Sequence, residues 1–146
     1  MKKIFAVTFV SLSLLLFSLT SYAPAQGPPI PKPDFVINCA QKTLSAPGGT
    51  TVSFQLSLTP LNGFEGFASF TCVDVMPGVT CRAPAGTVRL GPSMVVPFEV
   101  IAQTRANAPV GTYPIIVIVK GTWGATLTGS LSHSEALYLE AATNTP

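Results

Sequence analysis

The chain has 146 residues, of which 8 are lysine or arginine, 6 are aspartate or glutamate, and 47% are hydrophobic. This length suits one domain with a core of its own. The formal net charge of only +2 disfavours electrostatic capture of nucleic acid, so we expect no nucleic-acid partner.

The first 25 residues have the pattern of a signal peptide. Lys2 and Lys3 precede an apolar run over residues 4–19, and residues 23–25 offer an A-x-A cleavage site. Cleavage there leaves Gln26 at the N-terminus of a formally neutral mature chain that has no stable membrane insertion. The alternative is an uncleaved membrane anchor, for which the apolar run is short. We therefore expect a secreted, periplasmic or cell-surface protein.

Residues 26–33 form a proline-rich leader, for which we expect an extended and semi-rigid conformation. Residues 50–59 then alternate apolar and polar side chains with a period of two, which is typical of a half-buried β-strand. The strand stops at Pro60, and Asn62 with Gly63 indicates a turn before the next apolar run.

Several other segments repeat this alternation between turn residues, and no helical period follows the signal peptide. Further strands are predicted at residues 34–40, 44–47, 67–73, 87–90, 93–102, 112–120 and 131–141. Pro97 lacks a backbone donor, so its strand should lie at a sheet edge or turn that position outward. About seven strands with such spacing predict an all-β, immunoglobulin-like antiparallel β-sandwich over residues 34–141, with a tail at 142–146.

Three cysteines remain in the mature chain. Cys72 and Cys81 flank a turn-rich stretch and are the best pair for a disulfide in an oxidising compartment. Cys39 is then either a free, buried thiol or the site of an intermolecular bridge. Because no histidine accompanies the cysteines at ligand spacing, we expect no zinc site.

Four short motifs together resemble the bacterial immunoglobulin-like modules of secreted and surface proteins. These motifs are the Thr-Pro-Leu-Asn-Gly-Phe turn at 59–64, the Cys-loop-Cys segment at 72–81, Ala-Pro-Val-Gly-Thr-Tyr at 108–113, and Leu-Ser-His-Ser at 131–134. The resemblance covers nearly the whole mature chain. It implies a structural or binding unit that is usually one piece of a larger protein.

Residues that could support catalysis or hold a cofactor are sparse. The single histidine, His133, should lie on the strand face opposite to Ser132 and Ser134, so these hydroxyls cannot complete a triad with it. Glu65 and Asp74 fall in loops, where solvated charges are the rule and calcium ligation is the alternative. We therefore expect a protein that is not an enzyme and that has no cofactor and no metal.

Two aromatic residues follow turns. Tyr113 begins an apolar strand, where sandwiches place a tyrosine whose hydroxyl binds back to the preceding corner. Trp123 falls in a loop, where it either packs onto its own sandwich or stacks on a sugar or a partner.

The strand at 112–120 is apolar on both faces. Its outward positions include Ile116 and Ile118, with Phe67 and Tyr138 expected on the same face, which predicts an interaction surface for another protein or a second copy. An apolar strand covered by its neighbours is the alternative. The sequence thus favours an exported, non-catalytic structural or adhesion-type module, with a small carbohydrate-binding module that uses Trp123 as the runner-up.

Overall fold

The computed structural model describes residues 27–124 and 129–143, and these residues contain nine β-strands. The predicted signal peptide and residues 144–146 of the predicted tail lie outside the described residues. The strands are β1 (Asp34–Cys39), β2 (Thr43–Pro47), β3 (Thr51–Leu61), β4 (Gly66–Asp74), β5 (Val79–Arg82), β6 (Thr87–Leu90), β7 (Val96–Thr104), β8 (Gly111–Trp123) and β9 (Gly129–Ala142).

The strands form two sheets that pack face to face. One sheet has four strands in the order β1-β3-β7-β5, and the other has five in the order β2-β9-β8-β4-β6. Neighbouring strands are antiparallel except for β2, which lies parallel to β9. The predicted all-β, immunoglobulin-like sandwich is therefore confirmed, with nine strands where about seven were expected.

The difference in strand number comes mainly from β5, which begins within the predicted loop between Cys72 and Cys81 and continues through Cys81 to Arg82. This strand has only four residues and pairs with residues Ile101 to Thr104 of β7. So short a segment shows almost no alternation of its own, and its partner is distant in sequence. Its conformation is set by pairing across the sheet rather than by a local signal.

Alternation along each strand places one row of side chains in the core. In β3, Phe54, Leu56 and Leu58 are buried, as the period of two predicts. In β8 every second residue from Tyr113 to Val119 is at most 5% exposed. The core therefore lies between the two sheets, and the outward faces are left for solvent or for partners.

Pro97 lies in β7, which has a neighbour on each side in the four-stranded sheet. At Pro97 itself, however, the only strand partner is β3, through Ser57. The other neighbour, β5, pairs with β7 only from Ile101 onward. The missing N–H therefore falls where the sheet has a local edge, in agreement with the second form of the prediction.

A disulfide joins Cys72 of β4 to Cys81 of β5, with the two Cα atoms 5.9 Å apart. It confirms the predicted pair and connects the five-stranded sheet to the four-stranded one. Cys39 has a free thiol, which is partly buried and donates a hydrogen bond to the carbonyl of Gln41 at 3.2 Å. Whether Cys39 forms an intermolecular bridge stays a prediction.

The hydroxyl of Tyr113 donates a hydrogen bond to the carbonyl of Pro109 at 2.7 Å, four residues upstream. The predicted tie to the preceding corner is present. The same ring lies against Gly78, where an added Cβ would come within 2.9 Å of the tyrosine Cε1. Gly78 also has a φ of 115°, so both space and backbone conformation favour glycine at this position.

Candidate binding surfaces

The outward face of the five-stranded sheet has an apolar centre. Ile116 of β8 lies beside Val73 of β4 and Ala136 of β9, and Pro114 lies beside Tyr138. Val73 and Tyr138 are 41% and 40% exposed. Together with Ile118 these side chains form what we call the outer apolar patch. Its members are Val73, Pro114, Ile116, Ile118, Ala136 and Tyr138.

Phe67 lies on the same outward face but apart from this patch. It pairs with Thr122, four residues along β8 from Ile118. That distance is about 13 Å along the strand. The intervening row holds Lys120 and, on the neighbouring strands, two serines. The structure therefore brings Ile116, Ile118 and Tyr138 together and leaves Phe67 separate.

Val73 and Ala136 were not singled out from the sequence, although a signal for Val73 existed. Continuing the alternation of β4 from Phe67 through Thr71 puts Val73 on the outer face. Ala136 is small and partly buried, and only its register opposite Ile116 shows that it belongs to the patch.

Trp123 is the last residue of β8 and is partly buried. Its ring meets Phe64 edge to face, with 5.8 Å between the centroids. It also lies directly over Gly129, where an added Cβ would be 2.1 Å from the indole Cε2. Trp123 thus packs on its own sandwich, as one of the two interpretations held, while part of the ring stays accessible.

The accessible part of Trp123 borders an open groove of about 800 Å³. The groove lies between the end of the leader and the paired ends of β8 and β9. Its lining residues are Lys32, Pro33, Asp34, Trp123, Gly129, Ser130, Leu131 and His133. The sequence offered no signal for this groove. Residues 32 and 123 are far apart in the chain, and they come close only because β1 begins beside the ends of β8 and β9.

His133 and Asp34, two of the residues that line this groove, form a pair. The His133 Nε2 lies 2.6 Å from the Asp34 Oδ1, and the same oxygen accepts a 2.7 Å hydrogen bond from the Phe35 N–H. The hydrogen bond from His133 holds the pKa of Asp34 below its usual value. The neighbours Ser132 and Ser134 are exposed and alternate with His133 along β9, as the strand period predicts.

Glu65 and Asp74 were both predicted in loops; Glu65 does lie in the loop between β3 and β4, whereas Asp74 is the last residue of β4. The Glu65 carboxylate forms an ion pair with Arg89 and accepts a 2.9 Å hydrogen bond from its guanidinium, while the side chain of Asp74 is exposed. Within residues 27–124 and 129–143, no three His, Cys, Asp or Glu residues come together in a group that could hold a metal ion. Over the same residues, no helix has the length and apolar character needed to cross a membrane.

Neither the protein-family models nor the curated proteins include a match to this sequence. In fold the chain is similar to the ASH / PapD-like domain of human CEP192 (PapD-like domain 7), with a TM-score of 0.55 and 13% identity. This match covers 94% of the chain and 100% of that domain. The match supports the class of the fold, an immunoglobulin-like β-sandwich, and at this identity the likeness extends to the fold alone.

Two further structures are similar with lower TM-scores. Domains 4 and 5 of the S-layer protein SbsC give a TM-score of 0.48 at 15% identity, over 77% of this chain and 54% of theirs. The E. coli chaperone DraB gives 0.49 at 12% identity, over 75% of this chain and 56% of its own. The chain therefore spans about half the length of these two structures.

Proposed function

We propose that this protein is an exported, non-catalytic immunoglobulin-like module that acts by binding another protein through the outer apolar patch. The observation that carries the proposal is the contrast between the outward residues of β8 with its neighbours and the outward residues in the middle of β3. The patch has six apolar side chains and no charge. The middle of β3, on the opposite face, presents Ser53, Gln55 and Ser57. A face that meets only water would be expected to look like β3.

Export is supported by chemistry as well as by the predicted signal peptide. The disulfide between Cys72 and Cys81 is of the kind that persists in oxidising compartments. A structural or adhesion role fits a domain whose sheets are joined by a covalent link and whose single histidine is bound to Asp34.

The isoleucines of the patch can contribute substantially to binding. Full burial of one exposed isoleucine side chain at an interface stabilises the complex by about 1.5–3 kcal/mol. Ile116 and Ile118 are already partly buried in the single chain, so each offers a fraction of this value. The more exposed Val73 and Tyr138 add area, while the ordering of side chains opposes association.

The double substitution Ile116→Thr with Ile118→Thr should therefore weaken capture of the partner by about tenfold or more while leaving the fold intact. The measurement is affinity capture from the protein's own cell envelope, with circular dichroism to verify folding. Ile101→Thr is a matched control, because Ile101 is 39% exposed on the opposite sheet. Unchanged capture by the double variant, with wild type and variant both monomeric in light scattering, would show that the patch is merely an apolar strand.

A second candidate function is carbohydrate binding in the groove beside Trp123. An indole next to Lys32, Asp34, Ser130 and His133 combines a stacking surface with hydrogen-bonding groups, which is the usual composition of a small-ligand site. Glycan-array binding by the wild type that is lost in Trp123→Ala and kept in Phe67→Ala would favour this function. Absence of glycan binding by the wild type would rule out the carbohydrate-binding function.

A further inference from the structure

Three charged side chains lie on the outward face of the five-stranded sheet. Lys120 and Glu140 lie at opposite ends of the outer apolar patch. Arg89 of β6 lies beside Phe67, beyond the row of Lys120, and is paired with Glu65.

Lys120 is four residues from Ile116 along β8 in one direction. Glu140 pairs with Thr112, which is four residues from Ile116 in the other direction. Both charges are exposed and lie about 13–14 Å along the strand from the row of Ile116. The face is therefore basic at one end, apolar in the middle and acidic at the other end.

This pattern is complementary to itself. Two copies can place these faces together about a two-fold axis that runs across the strands at Ile116, so that the β8 strands of the two copies are antiparallel. The row of Lys120 in one copy then lies over the row of Glu140 in the other. Because the axis is two-fold, this opposite-charge contact forms twice.

The other simple two-fold arrangement is unfavourable. An axis running along β8 keeps each row over the same row of the second copy. It places Lys120 directly over Lys120 and puts the two Glu140 residues in one row, about 10 Å apart across the strands. Like charges that face each other across an interface cost free energy and suppress that arrangement. The charges of this face thus select one orientation.

The apolar residues fit the same orientation. Val73, Ile116 and Ala136 lie in one row across the sheet. With the axis at this row, each of the three residues faces the same residue of the second copy. Ile118 of one copy faces Pro114 of the other and lies one strand away from its Tyr138. Sheets that pack face to face are about 10 Å apart, a distance that lysine and glutamate side chains can span between them.

We propose that the occupant of the outer apolar patch is a second copy of this chain, docked face to face with antiparallel strands and with Lys120 of each copy against Glu140 of the other. The inference rests on the proposed function, because it names the partner of the same surface. The dimer is isologous and has two equivalent charge contacts at its rim.

Charge reversal tests the arrangement, with sedimentation equilibrium of the processed protein as the measurement. The experiments use a Cys39→Ala background, which prevents dimers formed by an intermolecular disulfide. Lys120→Glu alone and Glu140→Lys alone should each raise the dissociation constant of the dimer by about tenfold, since each change turns two attractions into two repulsions. The combined variant, Lys120→Glu with Glu140→Lys, should return it to within about threefold of the wild type. Arg82→Glu, an equal charge change on exposed β5, should leave it unchanged.

The outcomes separate this inference from the proposed function. A wild type that is monomeric at all concentrations overturns the inference. If Ile116→Thr with Ile118→Thr still abolishes capture from the cell envelope, the proposed function survives with a different protein as partner. A dimer that is sensitive to the isoleucine changes but not to either charge reversal overturns the antiparallel arrangement. Rescue by the combined reversal supports it, because only a self-complementary contact restores both charge pairs.

Discussion

Replacement of Phe64 by alanine is expected to lower the free energy of unfolding by about 3–5 kcal/mol, the usual cost of removing a fully buried phenylalanine. Phe64 is 0% exposed although it lies in the loop between β3 and β4. Its ring meets Phe35 edge to face at 5.5 Å and Trp123 at 5.8 Å between centroids. An added Cβ on Gly121 would be 3.0 Å from Phe64 Cζ, so glycine is needed to admit the ring. Removing the ring leaves a cavity among groups that have little room to close it.

Urea denaturation followed by tryptophan fluorescence is the measurement, since Trp123 is the single tryptophan and contacts Phe64. Phe67→Ala is the matched control, because Phe67 is 42% exposed on the outward face and should cost less than about 1.5 kcal/mol. Equal losses for the two variants would contradict the assignment of Phe64 to the core.

Removal of the disulfide, by Cys72→Ala with Cys81→Ala, is expected to cost about 2.5–3 kcal/mol of unfolding free energy. The two residues are separated by 9 positions, and closing a loop of this length restricts the unfolded chain by about that amount in the chain-entropy model. The link also joins the two sheets, so the variant should expose the edge formed by β5 more often than the wild type does.

Thermal and urea unfolding of the double variant, compared with the wild type under oxidising and reducing conditions, measures this cost. Cys39→Ala should change stability much less, because its thiol makes only one hydrogen bond, to Gln41. A wild type whose stability is the same with and without reductant would contradict the expected contribution. Loss of equal size in Cys39→Ala would contradict it as well.

Most of the sandwich could be predicted from local patterns. The alternation of Phe54, Leu56 and Leu58 with polar residues defines β3, and Asn62 with Gly63 defines its turn, with positive φ values of 51° and 71°. The corner of Tyr113 and the pairing of Cys72 with Cys81 were also predicted, since each depends on residues that are close in sequence. The predicted surface residues Ile116, Ile118 and Tyr138 lie on one face because strand alternation fixes the side of the sheet.

The sequence by itself therefore determined the class of the fold, the core-facing rows, the disulfide and the outward direction of the patch residues, because a period of two and short turns encode these locally. Only the tertiary structure decided the register and the neighbours of each strand. It separated Phe67 from Ile118, added Val73 and Ala136 to the patch, and assigned β5 to the four-stranded sheet. The groove beside Trp123 and the placement of Lys120 and Glu140 at opposite ends of one face arise in the same way. Pairing between strands that are distant in sequence depends on how the whole core packs, and no local pattern specifies it.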